Sequence, residues 1–353
     1  MLKEPSVAAE MPGALPPAKR ISRARILYSA IALGLAAVLL YFSLRGIDWR
    51  QVWTILAGAD IRFILLGAAL STCSLVLRSL RWRVLLRSHA DVDFPTAFWA
   101  MSACYFGNNF LPARAGELVR TFIVSRRTGL SKTFVLTTAL SERLSDAVAL
   151  VIIGSIVLLT LPVRPGWFAH AAEPFAIVGL LGVAAIAVLP RLENLWKALL
   201  VRIPIKERLR GKLLAVLDHI LTGIRAFHNT GRLSRFASFT ICIWFSDALG
   251  TIAGMHALGF HCTLAVAFLL LAGLGLGSAA PSTPGYLGIY QFVAVSVLTP
   301  FGFSRAGAIA YILLAQAVQY VLIGFWGFLG LVRTRSLNVW ARAEQPSPHI
   351  EQF

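Results

Sequence analysis

The sequence predicts an all-α, polytopic membrane protein, with about six full transmembrane helices plus two re-entrant helical hairpins arranged as an inverted-topology repeat. Composition, the lengths of the apolar runs and the placement of the basic residues predict it. Of 353 residues, 57% are hydrophobic and 14% charged, against roughly 25% charged in an average soluble domain. A mean hydropathy of +0.72 leaves too little polar sequence to cover a soluble core. A formal charge of +17 is an excess that can also mark nucleic-acid binding. Here the Lys and Arg sit between apolar runs, which points to an anionic membrane surface, and no nucleic-acid partner is expected. Cys73, Cys104, Cys242 and Cys262 have no paired spacing and read as small apolar fillers.

Residues 1–25 read as a flexible basic N-terminal tail, rich in proline and ending in Lys19, Arg20, Arg23 and Arg25. A single transmembrane domain follows over 26–335, with half one at 26–161 and half two at 174–332. A span needs roughly 20 apolar residues. Ile26–Leu44 qualifies, and with no small-residue cleavage site after it, it reads as an uncleaved first span. Ile61–Leu77 is the second. Phe94–Leu111 turns polar at Asn108 and Asn109, breaks at Pro112, and is followed by a mixed helix near Glu117–Ser125. Thr133–Leu161 is a long span carrying Glu142, Arg143 and Asp146, and Pro174–Leu189 is a shorter one. Residues 191–235 form a basic connector with apolar residues at helical spacing (Leu213, Leu214, Leu217, Ile220, Leu221, Ile224), which suits a cytoplasmic amphipathic helix in the interface. Phe236–Leu258 spans again. Leu264–Ala280 is apolar and Gly-rich, breaks at Pro281–Gly285 and continues as Tyr286–Leu298; Ala306–Val332 is the last span, and 336–353 is a C-terminal tail.

The positive-inside rule orients these pieces. Inside fall the N-terminal patch, Arg78/Arg81/Arg83/Arg87, Arg126/Arg127/Lys132, the connector, and Arg333/Arg335/Arg342. Outside fall the 45–60 loop, the 162–173 loop, 259–263 and the 300–305 turn. Residues 94–125 then lie between two inside loops, and 264–298 between two outside loops. Each is read as a hairpin that enters and leaves on one side, which gives two halves of opposite orientation; the alternative is two full spans in each place. Pro112-x-x-x-Gly116-x-Leu118 and Pro281-x-x-x-Gly285-x-Leu287 repeat one spacing at the two breaks. Both termini are expected to be cytoplasmic, in a cell inner membrane.

Three segments carry the candidate site. At the first break stand Asn108, Asn109, Pro112, Arg114, Gly116, Glu117 and Arg120. Non-helical backbone at membrane depth requires protein or a water-filled cavity to satisfy it. Arg114 is suited to holding a lipid phosphate bidentately, with help from the amides of the following half-helix. Alternatively, Glu117 caps that helix while Arg114 and Arg120 snorkel. The second segment is Glu142, Arg143 and Asp146. Glu142 lies roughly 15 Å into its helix, a depth at which ionisable groups face a cavity or one another. Glu142 and Asp146 share a face, Arg143 can reach Asp146, and a buried ion-pair latch is the competing reading. The third holds Pro281, Ser282, Thr283, Pro284, Gly285, Gly288, Tyr290 and Gln291, where two prolines and two glycines interrupt the run beside neutral hydrogen-bonding groups. Arg78, Arg81, Arg83 and Arg87 with Trp82 read as an interfacial anchor, and Asp247 as a lone intramembrane acid without a named partner. The histidines show no metal-ligand spacing, and no nucleotide loop, zinc motif or nucleophile elbow is present.

Arg78-x-x-Arg81-Trp82, Asn109-x-x-Pro112-x-Arg114-x-Gly116-Glu117-x-x-Arg120, Ser141-Glu142-Arg143-x-x-Asp146 and Pro281-x-x-Pro-Gly285-x-x-Gly288 resemble the motifs of the lysylphosphatidylglycerol synthase transmembrane-region family. The resemblance runs from about residue 25 to 335. It implies a bacterial or archaeal inner-membrane protein. The family's best-understood members flip aminoacylated phosphatidylglycerol between leaflets, and relatives handle hopanoids or polyprenyl glycolipids. The chain ends at residue 353 without the family's soluble synthase domain, so synthesis is not expected. The chain departs from the family at Gln291, where many members carry an acid, so the resemblance does not carry a cationic-headgroup contact over to that position. The expectation is therefore a lipid translocase whose partners are membrane lipids. It needs no cofactor or metal and is not an enzyme. The rivals are a membrane enzyme acting on a lipid-linked substrate, with Glu117 or Glu142 as base, and a partner subunit of a lipid-biosynthetic enzyme.

Overall fold

The structure is a computed structural model, and it describes residues 23–110, 115–160, 230–278 and 284–336 together with isolated positions between 177 and 214. The expected span at 174–189, most of the 191–235 connector, both tails, and Pro112, Arg114, Pro281, Ser282 and Thr283 lie outside the described residues.

Among the described residues the chain forms α-helices and two short 3-10 turns. They are α1 (Arg23–Leu44), α2 (Trp49–Ala57), α3 (Ile61–Leu86), α4 (Phe94–Phe110), α5 (Gly116–Thr128), α6 (Lys132–Thr160), α7 (Thr230–Ala257), α8 (Leu264–Gly277), α9 (Ile289–Leu298) and α10 (Arg305–Ser336). Segments of α3, α6, α7 and α10 are long and apolar enough to cross a membrane. Large apolar side chains stand exposed along them, among them Leu65, Ile156, Ile241, Val321 and Phe328, as lipid-facing surfaces do. The chain is a multi-pass membrane protein.

Local chemistry sets the helix ends. Asp48 caps α2 by accepting from the amides of Arg50 (2.9 Å) and Gln51 (3.2 Å), and Asp60 caps α3 through the Arg62 amide (2.9 Å). Gly129, at φ 72°, closes α5 with its amide on the Ser125 carbonyl. The α2 helix, buried through Val52, occupies the 45–60 stretch expected to be a loop. The α3 helix runs nine residues past the expected end at Leu77, because Ser79, Trp82 and Leu86 continue its buried stripe. The α7 helix begins at Thr230, so the last residues assigned to the connector belong to it.

Two packed clusters mark opposite poles of the bundle. One joins Trp82, Leu86, Val92, Ala97, Ile123, Val124 and Val135, where α3 and α5 end and α4 and α6 begin. The other joins Val157, Leu158, Met255, Val266, Leu298 and Ala306, where α6, α7 and α9 end and α8 and α10 begin. Both ends of the α4–α5 pair therefore sit at the first pole, and both ends of the α8–α9 pair at the second.

The contacts come in matched sets. The α3 and α7 helices run antiparallel, joined at one end by the Asp60 amide on the Ala257 carbonyl (2.8 Å) and at the other by Leu85 against Phe236. Between them, Gly67 and Gly250 bring the backbones close, the device that membrane helices use where lipid removes the hydrophobic drive to associate. The α4 helix packs antiparallel on α10, with Gly330 near Trp99 and Ser102 and Gly327 near Phe106. The α8 helix packs antiparallel on α6 in the same manner, with Gly154 at Ala272 and Gly275 at Leu150. The α4–α5 pair thus leans on α10, and the α8–α9 pair on α6.

Candidate functional site

The first break is built on α4, α5 and α6. Gly116 opens α5 directly against α4: a Cβ there would overlap the Cys104 carbonyl and crowd Asn108. Its role is close approach, since the residue is the first of a regular helix. The Gly116 amide donates to Asn108 Oδ1 (3.0 Å), so Asn108 ties the end of α4 to the start of α5. Asn109 donates to the Tyr105 carbonyl within α4 (3.0 Å). Glu117 makes no cap. Its Oε1 accepts from Arg143 Nη2 (2.8 Å) and Nε (3.0 Å) and, at 3.4 Å, from Asn108.

From Glu117 a chain of alternating charge runs inward. Arg120 Nη2 lies 2.6 Å from Glu117 Oε2, an ion pair without hydrogen-bond geometry, while its Nη1 donates to Glu142 Oε2 at 2.8 Å. Glu142 Oε1 accepts from Arg81 Nη2 (3.0 Å), and Arg81 also grips both oxygens of Asp146 (2.6 and 2.9 Å). Arg78 Nη1 approaches Asp146 at 3.7 Å, and its Nη2 donates to Asp247 at 2.6 Å. Four arginines alternate with four carboxylates, so the chain is formally neutral. It joins α3, α5, α6 and α7.

Isolated charges at this depth are expensive, and pairing with satisfied hydrogen bonds is what makes them tolerable. Aromatic faces complete the surroundings. The Arg81 guanidinium lies over Phe236 (5.0 Å), Arg120 over Trp82 (4.7 Å) and Arg78 over Trp244 (5.4 Å), while Trp82 Nε1 donates to Thr138 (3.1 Å). The interfacial-anchor reading of Arg78, Arg81 and Trp82 is therefore corrected: Arg81 and Trp82 are fully buried. Asp247 has a partner in Arg78. Arg143 pairs with Glu117, since α5 presents that carboxylate on the side of α6 toward which Arg143 points.

Access along the chain is graded. Arg81 and Arg120 are 0% exposed, whereas the side chains of Glu117 and Arg143 are 22% and 42% exposed. Arg143 shares its helix face with the exposed Leu140, and Leu144 beside Arg143 and Leu118 beside Glu117 are exposed too. The accessible end of the chain thus opens among lipid-facing side chains. Arg120, which the alternative reading has snorkelling to an interface, is enclosed between Glu117 and Glu142.

The second break uses neutral groups. A 3-10 turn at Pro284–Tyr286 leads into α9, with Gly285 at φ 75°, Tyr286 at φ 59° and Gly288 at φ 85°. A non-glycine residue there carries roughly 1–2 kcal/mol of backbone strain. The turn is held by an amide relay. The Gly288 amide donates to Gln291 Oε1 (2.8 Å), Gln291 Nε2 to Gln316 Oε1 (2.6 Å), and Gln316 Nε2 to the Gly285 carbonyl (2.9 Å). Gln291 is buried, and Tyr290 stacks on Tyr286 at 4.7 Å. The α4 helix reaches this turn, and at its tip Phe110 meets Tyr320, whose hydroxyl fills the space beside Gly285.

Sequence reasoning missed Arg78, Arg81 and Gln316 as members of these networks. The signals were present. Arg78 and Arg81 sit at i, i+3 on a stripe that Trp82 continues, and Gln316 is an amide near the middle of an apolar span, at a depth matching that of Glu142 in α6.

Comparison with known proteins bears on these arrangements. Glycosyltransferase AglD of Haloferax volcanii is 24% identical over 324 residues, covering 81% of this chain and 50% of that protein. The chain thus spans about half the length of that relative. A UPF0104 membrane protein of Pyrococcus horikoshii is 24% identical over 341 residues, covering 88% of this chain and 98% of the relative. A UPF0104 membrane protein of Methanocaldococcus jannaschii is 25% identical over 226 residues, covering 63% and 91%. The expectation that the chain is not an enzyme is corrected by the first match, since a relative aligned over most of it is named a glycosyltransferase. Missing motifs were a weak ground for that exclusion, because acid–base chemistry needs only a placed carboxylate. The model of the lysylphosphatidylglycerol synthase transmembrane region matches residues 29–327, and the chain belongs to that family.

Proposed function

We propose that the protein is a lipid translocase of a cell inner membrane, moving a phosphate-bearing headgroup between leaflets past the two helix breaks. The neutral charge chain, buried at Arg81 and Arg120 and most open at Arg143, carries this reading. Arg143 and Glu117 present a cation and an anion together at membrane depth, open among lipid-facing leucines. A headgroup entering sideways exchanges with that pair, phosphate to Arg143 and a cationic group to Glu117, while its acyl chains stay in the bilayer. The inner members, Arg120, Glu142, Arg81 and Asp146, hold the pair in place and balance each displaced charge. Asn108, Asn109 and Tyr290 border the path.

In this reading α4–α5 and α8–α9 are re-entrant hairpins, and the halves are inverted repeats that rock against each other. Their lengths, roughly 15–25 Å at 1.5 Å per residue, support this against a hydrocarbon core of about 30 Å. The matched contacts of α4 with α10 and of α8 with α6 support it as well. Arg83, Arg87, Arg126, Arg127 and Lys132 gather at the pole where the first hairpin opens, which supports placing that pole and both termini in the cytoplasm.

The test is the leaflet distribution of headgroup-labelled phosphatidylglycerol, free and aminoacylated, in proteoliposomes. Wild-type protein equilibrates one of them faster than Glu117→Gln/Arg143→Gln protein; equal rates would sink the assignment. The name of the Haloferax relative favours a second reading, in which the chain acts on a lipid-linked sugar as an enzyme or as the partner of one. A covalently altered lipid after incubation with a sugar donor is its signature.

A further inference from the structure

A second basic feature lies apart from the charge chain. Between the C-terminal end of α3 and the first turns of α7 is a cavity of about 260 Å³ lined by Arg83, Arg87, Arg232, Arg235, Leu80, Val84 and Phe239. Two of its arginines, Arg83 and Arg235, are held differently from those of the charge chain, where each arginine meets carboxylates. Arg83 Nε donates to the Val92 carbonyl and Arg235 Nε to the Gly231 carbonyl (2.9 Å). Those carbonyls orient the two guanidinium groups without neutralising them. Arg87 pairs with the exposed Asp91 (2.8 Å). The start of α7 turns its first amides toward the same end of the bundle, which adds to the positive potential.

We propose that this cavity binds a phosphate dianion carried on an apolar chain, that is, a phosphomonoester or diphosphate lipid. Two guanidinium groups held by neutral acceptors match two negative charges better than the single charge of a phosphodiester, and guanidinium geometry suits terminal phosphate oxygens. The cavity is smaller than the roughly 300–1,000 Å³ of drug-sized sites, so it holds a headgroup, not a whole lipid. Leu80, Val84 and Phe239 give the attached chain an apolar wall that a free anion does not use. The inference goes beyond translocation, because the site fills whether or not the lipid crosses.

The experiment titrates the full-length protein in zwitterionic detergent with dodecyl phosphate, with inorganic phosphate and with lysophosphatidylglycerol. Dodecyl phosphate binds at least tenfold more tightly than the phosphodiester and than inorganic phosphate. Arg235→Gln, an exposed change compatible with folding, weakens it several-fold, and Arg83→Gln/Arg235→Gln abolishes it. Arg45→Gln/Arg50→Gln, which removes equal charge from the opposite pole, leaves it unchanged. Equal binding of monoester and diester overturns the dianion assignment. Equal binding of inorganic and dodecyl phosphate overturns the lipid half. Loss in the Arg45/Arg50 variant as large as in Arg83/Arg235 reduces the site to nonspecific surface charge and overturns both.

Discussion

Arg78 on α3 donates to Asp247 on α7 across 2.6 Å, joining residues 169 positions apart where two antiparallel helices cross the bundle together. The pair ties the charge chain of the first break to α7. In the proposed function, a headgroup that disturbed Glu117 and Arg143 would reach α7 through these paired groups. Asp247→Asn keeps the shape and removes the charge. Arg78 retains Asp146 at 3.7 Å, so the loss is that of one charge-assisted hydrogen bond, about 1.5–3 kcal/mol. Thermal unfolding in detergent measures it.

Arg81 is a harder loss. It is fully buried and grips both Glu142 and Asp146, so Arg81→Met leaves two carboxylates short of a cation. The expected cost is about 3–5 kcal/mol. Arg81→Met/Glu142→Gln/Asp146→Asn neutralises both acids and recovers part of that stability. A triple variant less stable than the single one would show that the charges do more than balance one another.

The sequence carried the membrane class, the long helices and both breaks, because apolar length and proline with glycine are local signals. It carried Glu117, Glu142 and Asp146 as unusual for the same reason: an acid inside an apolar run is visible in one dimension. Their partners were not visible. Arg81 finds Asp146 across 65 residues and Arg78 finds Asp247 across 169, and helix pairing chooses those contacts. The basic run at 78–87 was misread because a positive cluster at the end of an apolar segment usually marks an interface. Here Trp82, Leu85 and Leu86 carry the helix on, and its faces separate. Arg78 and Arg81 turn inward, while Arg83 and Arg87 line the cavity beside α7.

Gln316 holds the second break from α10. Gln316→Leu removes the acceptor of Gln291 Nε2 and the donor to the Gly285 carbonyl, leaving two buried groups unpaired. Each costs about 1–3 kcal/mol. The stack of Tyr286 on Tyr290 depends on the same turn, so the loss in melting temperature is accompanied by a change in tyrosine fluorescence polarisation. An unchanged melting temperature would remove the relay from the account of the fold.

The depth of the breaks decides between hairpins and full spans. At 1.5 Å per residue α4 is about 25 Å long and α9 about 15 Å, against a hydrocarbon core of about 30 Å. Phe110 ends α4 and is half exposed, and Leu287 stands exposed just before α9. In a background without the native cysteines, Phe110→Cys and Leu287→Cys place one thiol at each tip. A membrane-impermeant maleimide added to intact cells modifies Arg50→Cys and Ser304→Cys rapidly, because both lie at the pole opposite the basic one. Re-entrant geometry leaves Phe110→Cys slow to react from outside, since its tip stops short of that surface and opens toward the other pole. If the first pair instead crossed completely, Phe110→Cys would react at the rate of Arg50→Cys. Leu287→Cys reports on the inner surface by the same logic. In inverted vesicles a full crossing makes it as reactive as Ser131→Cys, whereas a hairpin entering from outside keeps it slow.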